Sequence, residues 1–268
     1  MAMKPFYCIS YYEGDLSWVE LLPQDQYIVY AKSEITNPKV ANIQSRPNVG
    51  YNIDSYLTFI IDNYENLPEI TIFCKNNVVG RHVSRVVFEK CCASQIFTPI
   101  EDPDTWNKLG FPVSVISNDG GYLELNNSWY TKKHIPKYFS NYNYFFKYIF
   151  DTNLTPTYLR FAPGANYVVP KDNILNRSKN FYINLRALIS HQSLACEAHY
   201  VERSLVTIWG SNIAEGKITN GLLDAKALTN LEEKCKSQLA QEIGVIKKVR
   251  YAVFNWSTSL LNLFFGPK

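Results

Sequence analysis

Between residues 46 and 77 the chain reads RPNVGYNIDSYLTFIIDNYENLPEITIFCKNN, and its apolar positions change period midway. Ile53, Tyr56, Leu57, Ile60, Ile61 and Tyr64 recur at steps of three and four, which lays one apolar stripe along a helix with Asp62 and Glu65 on the outer face. Pro68 ends that helix. Ile70, Thr71, Ile72, Phe73 and Cys74 follow as a nearly continuous apolar and β-branched run, the composition of a strand covered on both faces. A helix feeding a buried strand is the repeating part of an α/β sheet, where ligands sit beyond the carboxyl ends of the strands. Lys75, Asn76 and Asn77 follow the strand and fall at that edge.

The same reading extends along the chain. Phe6 to Ser10 forms a first strand, and Tyr11, Tyr12, Glu13, Gly14 and Asp15 form the loop leaving it. Two aromatic rings and two carboxylates suit a nucleotide site, with rings on a base and an acid on a base or ribose edge; a surface turn with Asp15 as a helix cap fits equally well. Leu16, Trp18, Val19 and Leu22 predict a short helix, and Tyr27 to Tyr30 a second strand with Lys32 near its end, facing either phosphate or water. Asn48, Val49 and Gly50 precede the central helix, whose amide groups and positive dipole end suit a phosphate; Asn and Gly are also ordinary turn residues.

From Trp106 to Phe150 periodicity is poor. Strands are expected at Val113 to Ile116 and Tyr122 to Leu125, around an Asn118-Asp119-Gly120-Gly121 turn. WYTKKHIPKYFSNYNYFFKYIF then alternates rings with Lys and Asn, as an aromatic cluster over one end of the sheet or a platform for a glycan; His134 reads as an exposed loop residue. Tyr158 to Phe161 and Asn166 to Val169 are strands joined through Ala162, Pro163, Gly164 and Ala165, small residues that allow close backbone approach to a ligand. A helical turn begins at Pro170, and two further helices carry Phe181, Leu185, Leu188 and Ile189, then Ala198, Val201, Leu205 and Ile208, inward. Glu197, His199, Glu202 and Arg203 fall on the polar side of the second.

Composition narrows the class. At 268 residues the chain can bury roughly three quarters of its unfolded surface. With 27 basic and 24 acidic residues the net charge of +3 is too balanced for a nucleic-acid binder. Aromatics make up 15% of the chain, which favours a sugar ligand as well as a large core. The six cysteines lack CxxC or zinc spacing and read as buried free thiols. A first strand this close to the N-terminus leaves no room for a signal peptide, and no apolar run spans a bilayer, so a cytoplasmic protein is expected.

NVGYNIDSYLTFIIDNYENLP, ITIFCKNN, RHVSRVVF and RFAPGANYVVPKDNILNRSKNFY, in that order, resemble a domain-of-unknown-function family whose fold is expected to belong with the GT-A glycosyltransferases. The resemblance implies a GT-A-like, Rossmann-like mixed sheet flanked by helices over residues 1–212. It implies transfer of a sugar from a nucleotide-sugar donor to a carbohydrate acceptor; a non-catalytic nucleotide- or glycan-binding relative is the alternative. It also sets Gly164 and Ala165 beside donor sugar and acceptor. Tyr51, Asn52 and Asp54, and Lys75-Asn76, depart from the pattern associated with the family.

Many GT-A enzymes place an Asp-x-Asp at the end of the strand that here reads Ile70 to Cys74, to hold the divalent ion bridging the donor phosphates. Lys75, Asn76 and Asn77 stand there instead, so donor binding is expected to depend little on divalent metal and no metal ligands are assigned. Asp102-Pro103-Asp104 spells the pattern but reads as a turn. Arg81 and His82 are candidates to clamp phosphate. Glu197 is the preferred base toward an acceptor hydroxyl and His199 the alternative. Residues 213–268 are expected to form a C-terminal helical extension, with Val245, Ile246, Val249, Val253 and Trp256 on a face that packs on the main domain or a second copy, or lies on a membrane.

Overall fold

The computed structural model describes residues 4–35, 37, 39–102, 115, 116, 120–126, 134–242 and 245. Six strands form the main sheet in the order β3-β2-β1-β4-β9-β5. They are β1 (Phe6–Tyr11), β2 (Tyr27–Ala31), β3 (Ile43–Ser45), β4 (Ile70–Lys75), β5 (Thr98–Pro99) and β9 (Tyr167–Pro170). The first four run parallel, with Cys8 opposite both Ile28 and Phe73, while β9 is antiparallel to β4 and β5. A smaller antiparallel sheet joins β6 (Val115–Ile116), β7 (Tyr122–Leu125) and β8 (Tyr158–Phe161). The expected strand from Val113 thus appears at Val115 and Ile116; Val113 itself lies outside the described residues.

The main sheet is covered on both faces, as the unbroken run in β4 requires. Side chains alternate along each strand. Cys8, Phe73, Tyr167 and Val169 enter one core with Ile53, Tyr56, Leu57 and Ile60 of α1 (Tyr51–Asn63). Ile9, Ile72 and Val168 enter the other core with Trp18 and with Phe88 of α2 (Arg85–Cys92). The stripe on α1 is the predicted one, and Asp62 and Glu65 are exposed. Leu16 to Leu22 tightens into a 3-10 turn at Ser17–Leu21 instead of a full helix.

Among the described residues of the aperiodic stretch there is one helix. In α3 (Tyr142–Ile149) the apolar Tyr142, Phe145, Phe146 and Ile149 are buried, and the Asn141 side chain caps the start by accepting from the Tyr144 N–H at 3.2 Å. These rings are core; Tyr142 and Phe145 pack on Tyr200. A short α4 (Lys171–Leu175) leads into α5 (Lys179–Ile189) and α6 (Cys196–Gly210), and residues 225–242 form α7. Residues just beyond 212 pack against this framework: the Asn184 amide donates to Ile218 O at 2.6 Å and to Gly221 O at 2.7 Å. Of the expected C-terminal apolar face only Val245 is described, and it is exposed; Ile246, Val249, Val253 and Trp256 lie outside the described residues. Among the described residues no helix is long and apolar enough to cross a membrane.

Arg177 ties the end of α6 to residues 211–213. Its buried guanidinium donates to the carbonyls of Ile208 (3.0 Å), Ser211 (2.8 Å) and Ile213 (2.5 Å) and lies over the Phe150 ring. A cation at a helix carboxyl end offsets the dipole and satisfies orphan carbonyls. Arg177→Met is therefore expected to cost about 3 kcal/mol or more, because the three carbonyls lose a charged donor. In a chain of this size that is a fall of roughly 6–12 °C in Tm by thermal unfolding. A change under about 2 °C would mean that the guanidinium is dispensable there.

Candidate functional site at the carboxyl edge of the sheet

From β1 the chain crosses to β2 and β3 on one side and later, through α1, to β4 on the other. The crevice between the carboxyl ends of β1 and β4 is therefore a topological switch point, the usual ligand position in such sheets. The Tyr12–Asp15 loop, Lys75 to Asn77 and the loop entering the antiparallel β9 all reach this edge.

Several predicted ligand groups are committed to building it. The Asn76 amide donates to Glu13 O at 2.8 Å and Asp15 O at 3.3 Å, and Asn76 O accepts from the Trp18 indole at 2.7 Å. Asn76 staples the loop to β4. Asp15 accepts from the Ser17 N–H (2.8 Å) and hydroxyl (2.5 Å), the turn-forming role, and these bonds lower its pKa. Tyr11 is buried, whereas Tyr12, Glu13 and Asp15 are exposed around the crevice. Asn77 is half-buried.

Lys32 and the Asn48–Gly50 turn are bonded within the fold. The Lys32 ammonium is buried and donates to the carbonyls of Val49 and Tyr51, so it faces the turn and not the solvent side of the edge. Burial drives its pKa down to about 8, against the pull of Asp54. Gly50 and Tyr51 both have positive φ, 58° and 51°, and their amides donate to Gln192 O (2.9 Å) and Ser193 O (3.3 Å). The amides expected to receive phosphate at Gly50 are thus already engaged by backbone, while Asn48 is exposed.

The centre of the edge is a carboxylate whose place in the sequence suggests only a helix-holding ion pair. Glu202 of α6 accepts from the Gly164 N–H at 2.7 Å and from Arg203 Nη1 at 3.2 Å, and lies 3.8 Å from His199 Nδ1. Burial alone would raise its pKa; the contact with the His199 ring and the Arg203 and Lys75 charges overcome this and hold it at about 2. Arg203 also pairs with Glu124 of β7 and covers the Phe161 ring. Lys75 is anchored through its N–H to Asn166 Oδ1 at 3.0 Å, and its ammonium pKa is lowered by burial while Glu202 opposes the shift.

Gly164 sits at φ 80°, and a Cβ there would lie 2.7 Å from the His82 ring. Its carbonyl accepts from the Asn52 amide at 3.0 Å. Ala165 (φ 54°) completes the turn by donating to Ala162 O at 2.8 Å. His82 is buried beneath Gly164 and driven to about 3 by burial and the Lys75 and Arg81 charges, so its imidazole is neutral at ordinary pH. Arg81 is exposed beside it on a turn broken at Val79 and Gly80.

Glu197, the preferred base, is already engaged by its surroundings. Glu197 is fully buried, and its carboxylate accepts from the N–H groups of Lys137 (2.7 Å) and Tyr138 (2.6 Å) and bonds His191 Nε2 at 3.1 Å. It caps the segment packed over the start of α6. His199, one helical turn before Arg203, faces the cluster: Nε2 is 3.1 Å from the Tyr51 hydroxyl, which is 3.4 Å from His134 Nε2. The His199-x-x-Glu202 spacing, which puts both side chains on one helix face, was the available signal for this site; Tyr51 and His134 had none, because they arrive from other segments.

At the β4 end an ammonium and two amides, one of them stapling a loop, do not fit a divalent cation. Asp102 Oδ2 accepts from the Ser84 N–H at 3.0 Å, and Asp104 lies outside the described residues. Among the described residues no group of three or more His, Cys, Asp or Glu is arranged to hold a metal.

The fold and edge together define a mixed α/β domain with a central mixed sheet flanked by helices and a polar cluster at its carboxyl edge. Residues 9–218 match the family described as protein of unknown function (DUF3431), and the chain belongs to that family. No curated protein and no solved structure matches it.

A carboxyl held near 2 against an unfolded value near 4.5 contributes stability that is present above about pH 4.5 and lost as the pH falls toward 2. Glu202 should thus account for about 2 kcal/mol of the stability lost between pH 6 and pH 3. Urea unfolding of wild type and Glu202→Gln at both pH values measures it: the variant should be less stable at pH 6 and should lose about 2 kcal/mol less on acidification. Equal losses would remove Glu202 from the acid transition.

Proposed function

We propose that the protein is a glycosyltransferase of GT-A-like fold that moves a sugar from a nucleotide-sugar donor to a hydroxyl of a glycan or glycoconjugate. The observation that carries this reading is the meeting of His199 and Glu202 with the Gly164 turn, which is bonded to Lys75 at the carboxyl end of β4 through Asn166. In this reading the nucleotide lies against Tyr12, Glu13 and Asp15, the diphosphate is drawn by Lys75 and the exposed Arg81, and the sugar sits on the Gly164–Ala165 backbone. The acceptor oxygen bonds to the anomeric carbon while the bond from that carbon to the diphosphate breaks, and the diphosphate leaves with the electron pair. His199 Nε2 takes the acceptor proton. Glu202, 3.8 Å away on the Nδ1 side, is the positioning residue that orients the ring.

A non-catalytic nucleotide- or glycan-binding relative of the same fold is the second reading. A thermal-shift panel of nucleoside diphosphates and their sugars, with chelator or Mn²⁺, tests donor binding. A matched ligand at ~100 times its Kd adds ~2.7 kcal/mol, about 5–10 °C. Affinity is expected to be similar in chelator and in Mn²⁺; a hundredfold loss in chelator would overturn the metal-independent reading, and no shift with any nucleotide would remove the donor site. With donor and acceptor in hand, His199→Ala should lower the transfer rate ~10²-fold or more with donor affinity intact. Glu202→Gln should also move the acidic limb of the pH–rate profile. Nucleotide binding without transfer would favour the binding-only relative, and near-wild-type rates in His199→Ala would sink the base assignment.

A further inference from the structure

The Tyr51 hydroxyl stands between two imidazoles, and the His134 and His199 rings stack at 5.5 Å. His134 also lines a cavity of about 730 Å³ between residues 134–137, residues 191–194 and α7. That volume lies within the usual range of small-molecule sites, about 300–1,000 Å³. Leu194 and Leu239 give it apolar wall, and Lys137 and Lys236 give it charge. Both ammonium groups pair with one carboxylate, Glu232, at 3.7 Å and 2.6 Å, so the lining sets two ammonium groups against one carboxylate. Apolar wall, two adjacent lysines and a histidine shared with the edge cluster are the three properties a ligand must match.

We propose that this cavity is the acceptor's binding site and that it takes a hydroxyl-bearing amphiphile with an anionic group. The chain lies on the leucines and the anion on Lys137 and Lys236, and the hydroxyl passes His134 to reach Tyr51 and His199. This rests on the transferase reading for its last step only; the cavity's ligand preference is independent of it. The neighbouring elements hold the site open. Glu197 fixes the 137–138 backbone and His191, and the Cys235 thiol donates to Pro136 O at 3.8 Å, which seats α7 against the same segment.

Calorimetry with n-octyl phosphate, below its micelle-forming concentration, tests the proposal on the full chain, with inorganic phosphate and n-octyl glucoside as head-only and neutral probes. Octyl phosphate should bind saturably and more tightly than either. Lys236→Gln, at an exposed position, and Leu239→Trp, which fills the cavity, should each weaken it tenfold or more while leaving nucleotide thermal shifts unchanged. No saturable binding, equal binding of the glucoside, or unaltered affinity in Lys236→Gln overturns the proposal. Octyl phosphate binding with no nucleotide binding would remove the transferase reading and leave the amphiphile site standing.

Discussion

A carboxylate taken out of water needs partners, and those of Glu202 come from distant parts of the chain. The Gly164 N–H reaches it from the turn before β9, Arg203 brings with it Glu124 of the second sheet, and Lys75 adds charge from the end of β4. Removing any one leaves a buried charge under-compensated, which costs more than the lost contact itself. The main sheet, the small sheet and α6 are thus joined at a polar point inside an otherwise apolar junction. Gly164 is required twice there, by its positive φ and by the His82 ring against the place of its Cβ.

Polar groups at this edge divide by what they are tied to. Asn76, Lys32, Asp15 and Glu197 each bond backbone, and each fixes a loop or a helix start. Lys32 does so under strain, holding two consecutive residues at positive φ so that the Tyr51 ring lies 4.7 Å from that of His199. A bulky residue such as Tyr in that conformation is costly, and the cost is met by packing and by the Lys32 clamp. Rigid support of this kind is what a reactive group needs from the residues around it.

Local pattern carried the elements whose burial is decided by their own period. The stripe of α1, the two-faced run of β4 and the inward set of α6 were legible because a helix or strand between two cores declares which positions face them. Glu197 was not, because α6 is buried on its polar side too, under the 137–138 segment and α7, and no periodicity announces a third neighbour. The α3 helix was hidden because Lys, Asn and exposed Tyr144 interrupt its aromatic face. Lys32 and Gly50 had the right residue types for phosphate, yet the same donors satisfy carbonyls and bridge segments, and only tertiary placement distinguishes the uses. Tyr51 and His134 are 83 positions apart, beyond any local signal.

Charge at the edge is set by burial more than by the number of basic residues. His82 is neutral, so it contributes shape and no cationic charge, and the positive potential comes from Lys75 and Arg81. Lys75 is itself discouraged from charging by burial, and the ionised Glu202 is what offsets that tendency. An anion arriving beside Lys75 would act in the same direction as Glu202 and strengthen proton binding there. The same anion would weaken Glu202's relative claim on Lys75 while leaving Arg203 and the Gly164 N–H in place. By linkage, anion binding at this edge and protonation of the half-buried Lys75 favour each other.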